Sequence, residues 1–258
     1  MLVRALDKRD MANDTERPQR LAILIDADNA SPRMAAGLFE EVAAIGEASV
    51  RRIYGDFSGT RLKGWAEVLS TYAIIPHQNF ANTTGKNASD IALAIDAMDL
   101  LHTGRFDAFC LVSSDSDFTR LAARIREQGV DVYGFGERKT PESFRKACKR
   151  FIYTENLVSL AAAEEPLIGT TDTLAIDAAS LKQPVSAAVP HIQTALSQLE
   201  DLNGWYFLGA VGARLAVLMP DFDPRTYGCP KLVSLVERSE AFEVRRDHLK
   251  VYIRPRGR

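Results

Sequence analysis

"DAFCLVSSDSDF", Asp107 to Phe118, runs apolar for half its length and ends on Ser113, Ser114, Asp115, Ser116 and Asp117. The core of that run, Ala108–Val112, is too short for a helix and shows no polar alternation, so it is expected to be a strand buried on both faces. Strands of this kind belong to parallel sheets covered by helices on each side. The hydroxyls and carboxylates that follow should lie just past the strand's carboxyl end, where open α/β sheets bind their ligands.

The flanking sequence repeats the pattern. "LAILI" (Leu21–Ile25), "VRRIY" (Val50–Tyr54), "YAIIP" (Tyr72–Pro76), "VDVYGF" (Val130–Phe135) and "FIY" (Phe151–Tyr153) are expected strands. Between them "PRMAAGLFEEVAAIG", "RLKGWAEVLSTY", "SDIALAIDAMDLL", "DFTRLAARIREQG" and "PESFRKAC" are expected helices. Pro32 and Pro141 suit first helical positions, and Gly46 and Gly129 suit C-terminal stops. The fold class is therefore α/β, a parallel sheet flanked by helices.

Beyond residue 158 the pattern dissolves into "AAAEEPLIGTTDTLAIDAASLKQP", expected to be a linker. "AAVPHIQTALSQLE", "FLGAVGARLAVLM" and "CPKLVSLVERS" then give helical patterns, followed by "AFEVRR", a two-residue turn "DH" and "LKVYIRP". Helices closed by a terminal hairpin predict a small winged-helix (α+β) domain. The expected division is a disordered segment over 1–19, an α/β domain over 20–158, a linker over 159–187 and the winged helix over 188–256.

Of the 258 residues, 46% are hydrophobic and 26% charged, and the net charge of -2 gives no global signal for a polyanion or a membrane. The cysteines Cys110, Cys148 and Cys229 form no C-x-x-C or Cys/His cluster, which argues against a disulfide framework or a zinc site and fits a reducing cytoplasm. Residues Met1 to Arg20 lack the apolar core of a signal peptide, Met11 is a second candidate start, and no later run is long enough to span a bilayer.

The acidic residues are the main functional signal. The first strand ends in "IDADN" and the fourth in "SSDSD", which places Asp26, Asp28, Asn29, Ser114, Asp115 and Asp117 at one sheet edge. In "TGKNASDIALAIDAMDLL", at about 100° per residue, Ile91, Ala94, Ile95, Met98 and Leu101 with Leu93, Ala97 and Leu100 form an apolar arc centred near Asp90. Asp99 falls opposite, toward solvent, and Asp96 sits at the arc's edge, undecided. A carboxylate on a core-facing stripe is costly unless paired. A divalent cation shared by Asp26, Asp90, Asp115 and Asp117, with Asp28 and Asp96 as a second tier, would pair it. Oxygen donors without Cys or His select a hard ion, Mg²⁺ or Mn²⁺. Such ions can position a phosphate, lower the pKa of a water and stabilise a leaving oxygen. The alternative for single pieces is local: Asp28 and Asn29 as turn and N-cap residues, Ser116 as a helix cap. Glu40 and Glu41 read as a solvated face.

Taken together, "LAILIDADNASP", "TGKNASDIALAIDAMDLL", "FCLVSSDSDFTRLAARIREQGVDVYGFG" and "TPESFRKACKRFIY" resemble the NYN domain, a PIN-like nuclease group that includes LabA-type bacterial proteins. The resemblance implies a PIN-like fold and metal-dependent cleavage of RNA. It matches Asp26 and Asn29 to the D-x-x-N pattern, Asp90 to the helix-borne acid, and Ser114, Asp115 and Asp117 to the S-x-D-x-D strand end. Ser114 would orient a ligand or a water. Pairing of two copies is a further implication.

The C-terminal stretch, above all "PDFDPRTYG" and the "KL" after it, resembles the OST-HTH, or LOTUS, domain, which implies RNA binding and, in some branches, an RNA helicase partner. From Arg225 onward nine Lys/Arg face four Asp/Glu, a basic region hidden by the average. Arg225, Tyr227, Lys231, Arg245, Arg246 and Lys250 are the candidate RNA contacts there, the alternative being a solvated face with Tyr227 in the core. Lys86, Arg138 and Lys139 are candidates for steering RNA toward the acids, with loop solvation as the alternative.

Three functions stay open on the sequence. The leading one is a metal-dependent ribonuclease with an RNA-binding domain. A second is a non-catalytic RNA-binding regulator. A third takes "IDADN" as the D-x-D motif of a haloacid-dehalogenase-like phosphatase, although the Gly-Thr that normally follows and a cap region between motifs are missing.

Overall fold

The buried strand of the opening stretch lies at the centre of a six-stranded parallel sheet in the order β3-β2-β1-β4-β5-β6. The computed structural model describes residues 17–80, 87–161 and 182–256. Its first half runs β1 (Gln19–Asp26), a 3-10 turn at Pro32–Met34, α1 (Ala35–Ile45), β2 (Gly46–Gly55), α2 (Lys63–Val68), β3 (Ile75–Gln78) and α3 (Ala88–His102). It continues through β4 (Ala108–Val112), α4 (Phe118–Glu127), β5 (Asp131–Gly136), α5 (Glu142–Ala147), β6 (Arg150–Tyr153) and α6 (Glu155–Ala161).

Continuous apolar sequence in β1 and β4 lets the sheet bury both faces. Leu21, Ile23 and Ile25 meet Leu38, Val42 and Trp65 on one side. Ala22 and Leu24 meet Leu93, Ala97, Phe109 and Phe118 on the other. Strand order reverses between β1 and β4, which pair from Leu21↔Ala108 to Ile25↔Val112. The ends of these two strands flank the crevice where an open sheet of this order takes its ligand, and each ends on an acidic motif.

Helix α3 buries a narrower stripe than the sequence suggests. Leu93, Ala97, Leu100 and Leu101 are buried, while Ile91 and Ile95 stand 61% and 57% exposed. The reason is that α3 packs chiefly against β1, β2 and α4, which cover one face of it. Asp90 stays in register with the buried stripe, and Asp99 points outward as expected.

The second domain consists of a 3-10 turn at Val185–Ala188, α7 (Val189–Leu196), β7 (Tyr206–Phe207), α8 (Leu208–Leu218), a 3-10 turn at Pro224–Tyr227, α9 (Leu232–Ser239), β8 (Phe242–Asp247) and β9 (Lys250–Pro255). The hairpin and the unforeseen β7 form an antiparallel sheet in the order β7-β9-β8, completing a winged helix. Its turn is His248–Leu249, one residue later than expected, with His248 at φ 52°.

The winged helix docks on the edge of the large sheet. The Phe151 N–H on the outer edge of β6 donates to Pro220 O at 2.8 Å, so an edge that would otherwise present free backbone groups is covered. Asp221 accepts from Tyr153 Oη at 2.6 Å and from Arg145. Asn156, itself buried, donates to Thr226 Oγ1 at 3.2 Å. Arg225 bonds Glu41 at 2.8 Å, and Glu41 also holds Arg150 at 2.9 Å. Glu41 is therefore a seam residue rather than part of a solvated face.

The expected N-terminal segment lies outside the described residues up to residue 16, and Gln19 already belongs to β1. Most of the expected linker also lies outside them; at its ends α6 runs to Ala161, and Gln183 N–H bonds Thr226 O at 3.0 Å. The three cysteines are buried and unpaired. Among the described residues no helix is long and apolar enough to cross a membrane.

Candidate functional site

Asp26 is the last residue of β1 and is 1% exposed. Its Oδ1 accepts from Asp28 N–H at 3.1 Å, and its Oδ2 accepts from Asn29 Nδ2 at 2.8 Å and Ser113 Oγ at 2.7 Å. Burial raises its pKa, and these bonds oppose the rise. Ser113 also accepts from Asp115 N–H at 3.0 Å, and Asp117 N–H closes the next turn on Asp115 Oδ1 at 2.9 Å. One hydroxyl thus links the ends of β1 and β4. Ser113 escaped the sequence reading; its position as the first polar residue after a buried run beside the central strand was the available signal.

Ser114, expected to orient a ligand or a water, accepts from Glu137 N–H at 2.8 Å and ties β4 to the loop after β5, its own O–H still free to donate. Asp117, not Ser116, is the N-cap residue of α4. Asp90, in the first turn of α3, has its pKa pushed up to about 6, first by burial and then by the charges of Asp26, Asp115, Asp28 and Asp117. The fields of these four carboxylates meet at Asp90, and Asn87 just before α3 donates to Asp117 Oδ2 at 3.3 Å. Asp28 pairs with Arg61 across the mouth of the site.

Asp96 does not join them. It accepts from Arg52 at 2.8 Å and Tyr54 Oη at 2.7 Å, with His77 Nδ1 at 3.5 Å. A carboxylate so committed between α3 and β2 is structural, which removes it from the second tier of ligands. The donor chemistry of the remaining acids suits a hard cation: all are oxygens, and Asp90 carries a like-charge penalty that a cation would relieve. Among the described residues, however, no group of three or more acids, histidines or cysteines stands close enough to hold an ion as placed.

The NYN domain family model matches residues 20–158. The chain belongs to the NYN family. A second model, the OST-HTH/LOTUS domain, matches residues 181–253. No protein of curated function matches the chain. A Vibrio parahaemolyticus protein of unknown function, known from a crystal structure, is similar at 20% identity, covering 53% of this chain and 93% of its own, with a TM-score of 0.44. An uncharacterized Nitrosomonas europaea protein solved by NMR is similar at 30% identity, covering 36% of this chain and 94% of its own, with a TM-score of 0.27. The NYN nuclease-like domain and the OST-HTH/LOTUS domain together point to RNA as the ligand of this NYN protein.

Its candidate RNA contacts divide by burial. Tyr227 is 7% exposed within the winged-helix core, and Arg225 is committed to Asp223 and Glu41 in the seam, so neither is open to RNA. Arg138 is half-buried and stacks over the Tyr153 ring at 5.3 Å. Lys139 is exposed and paired with Glu137 at 2.8 Å. Lys231, Arg245 and Lys250 are exposed, and Arg246 pairs with Glu237 at 2.6 Å. Lys86 lies outside the described residues. Trp205, which the sequence reading passed over, lies between Arg245 at 4.8 Å and Arg254 at 4.7 Å.

Proposed function

We propose that this NYN protein is a ribonuclease that hydrolyses RNA phosphodiester bonds at the β1/β4 edge, with Mg²⁺ or Mn²⁺ as cofactor and the OST-HTH/LOTUS domain holding the RNA. The observation that carries the reading is Asp90, raised to about 6 by burial and by four carboxylates from two strand ends. A fold gains nothing from such repulsion, which suits a site that recruits positive charge.

Asp26, Asp90, Asp115 and Asp117 would hold the cation, with Asp28 beside them. A bound divalent cation supplies charge neutralisation and polarisation of the scissile phosphate. Asn29 and Ser113 hold Oδ2 of Asp26 and the Asp28 N–H holds Oδ1, so the three donors fix the orientation of its carboxylate. Hydrolysis joins a water oxygen to phosphorus and breaks one phosphorus–oxygen ester bond, whose oxygen leaves with a proton. Unoccupied nucleophilic side chains are not needed: the cysteines are buried, and burial raises the Cys110 thiol to about 12.

The second reading, an RNA-binding regulator without catalysis, is favoured by Asp26, whose two carboxylate oxygens already accept from Asp28 N–H, Asn29 and Ser113. The phosphatase alternative is weakened by Asp28, the second acid of D-x-D, which is tied to Arg61. A cytoplasmic setting fits the free thiols. A helicase partner and pairing of two copies rest on family resemblance alone.

End-labelled single-stranded RNA incubated with the full chain and Mn²⁺ or Mg²⁺ tests the proposal. Shortened products that vanish with a chelator are expected. Intact RNA that is nonetheless bound favours the regulator, and turnover of p-nitrophenyl phosphate without RNA cleavage favours the phosphatase.

A further inference from the structure

The register of the wing sorts its side chains onto two faces. Val244↔Ile253 and Phe242↔Pro255 pair on the side of the winged-helix core, whereas Arg245↔Tyr252 and Glu243↔Arg254 pair on the other. Phe207 pairs with Tyr252 and joins that outer face, while its neighbour Tyr206 turns to the core side opposite Ile253.

On the outer face the rings and cations form a continuous row. Arg254 lies 4.7 Å from the Trp205 ring, Arg245 lies 4.8 Å from Trp205 and 5.2 Å from Tyr252, and Tyr252 lies 5.9 Å from Phe207. Phe207 is 41% exposed. Arg254 is matched by Glu243, but Arg245 has no carboxylate partner among the described residues. Its charge is held against aromatic faces and open to solvent.

We propose that this outer face, with Trp205, Phe207 and Tyr252 as rings and Arg245 and Arg254 as cations, is a stacking platform for unpaired RNA bases. The inference rests on RNA being the ligand and adds where and in what form it binds. Unpaired bases stack on aromatic rings and on guanidinium planes alike, and an unmatched arginine beside the rings meets the phosphate that each nucleotide brings. Lys250, opposite Asp247, stands at the hairpin end of the same face. Cations alternating with rings match a single strand, in which each nucleotide brings one base and one phosphate.

The usual duplex-reading element is poorly equipped. Arg238 on α9 is turned to Gly228 O at 2.9 Å, and Glu237 of the same helix engages Arg246 at 2.6 Å, so neither arginine is a free donor to a duplex. Double-stranded nucleic acid in a groove reader needs free donors on that helix. The wing therefore takes single strands.

The chain has two tryptophans, and Trp65 is 1% exposed beneath the sheet, bonded to Ala30 O. Both indoles emit, but Trp65 is shielded from contact, so quenching by a ligand at the surface reports on Trp205. With the full chain in chelator, so that no cleavage intervenes, a mixed-sequence single-stranded RNA should quench this emission, and a duplex of the same sequence should quench it far less. Arg245→Ala and Tyr252→Ala should each weaken single-strand affinity by about tenfold, while Arg124→Ala on α4 leaves it unchanged. Trp205→Phe keeps a ring and should retain affinity within a few-fold although the quench is lost, which separates stacking from misfolding. Wild-type affinity in both Arg245→Ala and Tyr252→Ala, or equal quenching by the duplex, overturns the platform while leaving the ribonuclease reading intact. A dimer abolished by Arg245→Ala with RNA affinity unchanged makes the face a protein interface and also overturns it. Failure of the wild type to bind any RNA removes the proposed function together with the platform, whereas intact platform binding without cleavage in Mn²⁺ removes the nuclease alone.

Discussion

Ser113 Oγ donates to Asp26 Oδ2 at 2.7 Å and makes the only side-chain bond described between the ends of β1 and β4. Ser113→Ala leaves a buried carboxylate short of one donor, and the loss of a hydrogen bond to a charged group costs about 1.5–3 kcal/mol. The expected result is a lower melting temperature together with RNA cleavage reduced by at least tenfold. Thermal denaturation beside a cleavage assay checks both; full activity in a destabilised variant would confine Ser113 to folding.

Asp90 governs the pH dependence. Its folded-state pKa of about 6 exceeds the ordinary 3.8, so between these values the folded state binds more protons than the unfolded one. The stability contributed by protonated Asp90 is present below about pH 4 and lost as pH rises through about 6. Without added cation, Asp90→Asn should flatten this part of the stability profile and be more stable than wild type at pH 7. Cleavage runs the other way and needs ionised Asp90; because a bound cation favours the ionised form, the acid limb of the rate profile should lie below about pH 6. Denaturation midpoints against pH and a pH–rate profile supply the two curves, and a profile unaltered in the variant contradicts the assignment.

Gly136 at the end of β5 leaves room for the site loop. A Cβ there would meet Ser113 O at 2.5 Å and Thr140 Oγ1 at 2.7 Å. Gly136→Ala should therefore push the Ser113 backbone away from Asp26 and cost about 1–3 kcal/mol, as overpacking does. A loss of cleavage larger than that of a surface control of equal stability is the predicted signature.

The seam is expected to make the two domains unfold together. Asp221→Ala removes the acceptor shared by Arg145 and Tyr153, both partly buried. About 1–3 kcal/mol of docking energy should be lost, and calorimetry should show one transition in the wild type and two in the variant. A single unshifted transition would mean that the seam contributes nothing.

Much of this was legible before any coordinates. Ala108–Val112 and Leu21–Ile25 are apolar at every position, and that alone specified a parallel sheet whose central strand ends carry the acids. The winged helix followed from its helix spacing and hairpin. Asp96 was illegible because its partners Arg52 and Tyr54 lie on a strand more than forty positions earlier in the chain. Arg225 and Tyr227 misled because basic and aromatic residues in a loop look the same whether they face RNA or another domain. Ile91 and Ile95 show that helical periodicity finds an apolar arc but not how much of it a neighbouring element covers.

The most direct measurement is cleavage of single-stranded RNA in Mn²⁺ by the wild type and by Asp115→Asn, each first shown to be folded and to bind that RNA. Asp115 touches the site through its own backbone N–H bond to Ser113, so the amide preserves the loop while removing a charge. The expected result is cleavage by the wild type and at least a hundredfold slower cleavage by the variant at unchanged RNA affinity. Equal cleavage by both proteins would contradict the assignment of the β1/β4 edge as the catalytic site.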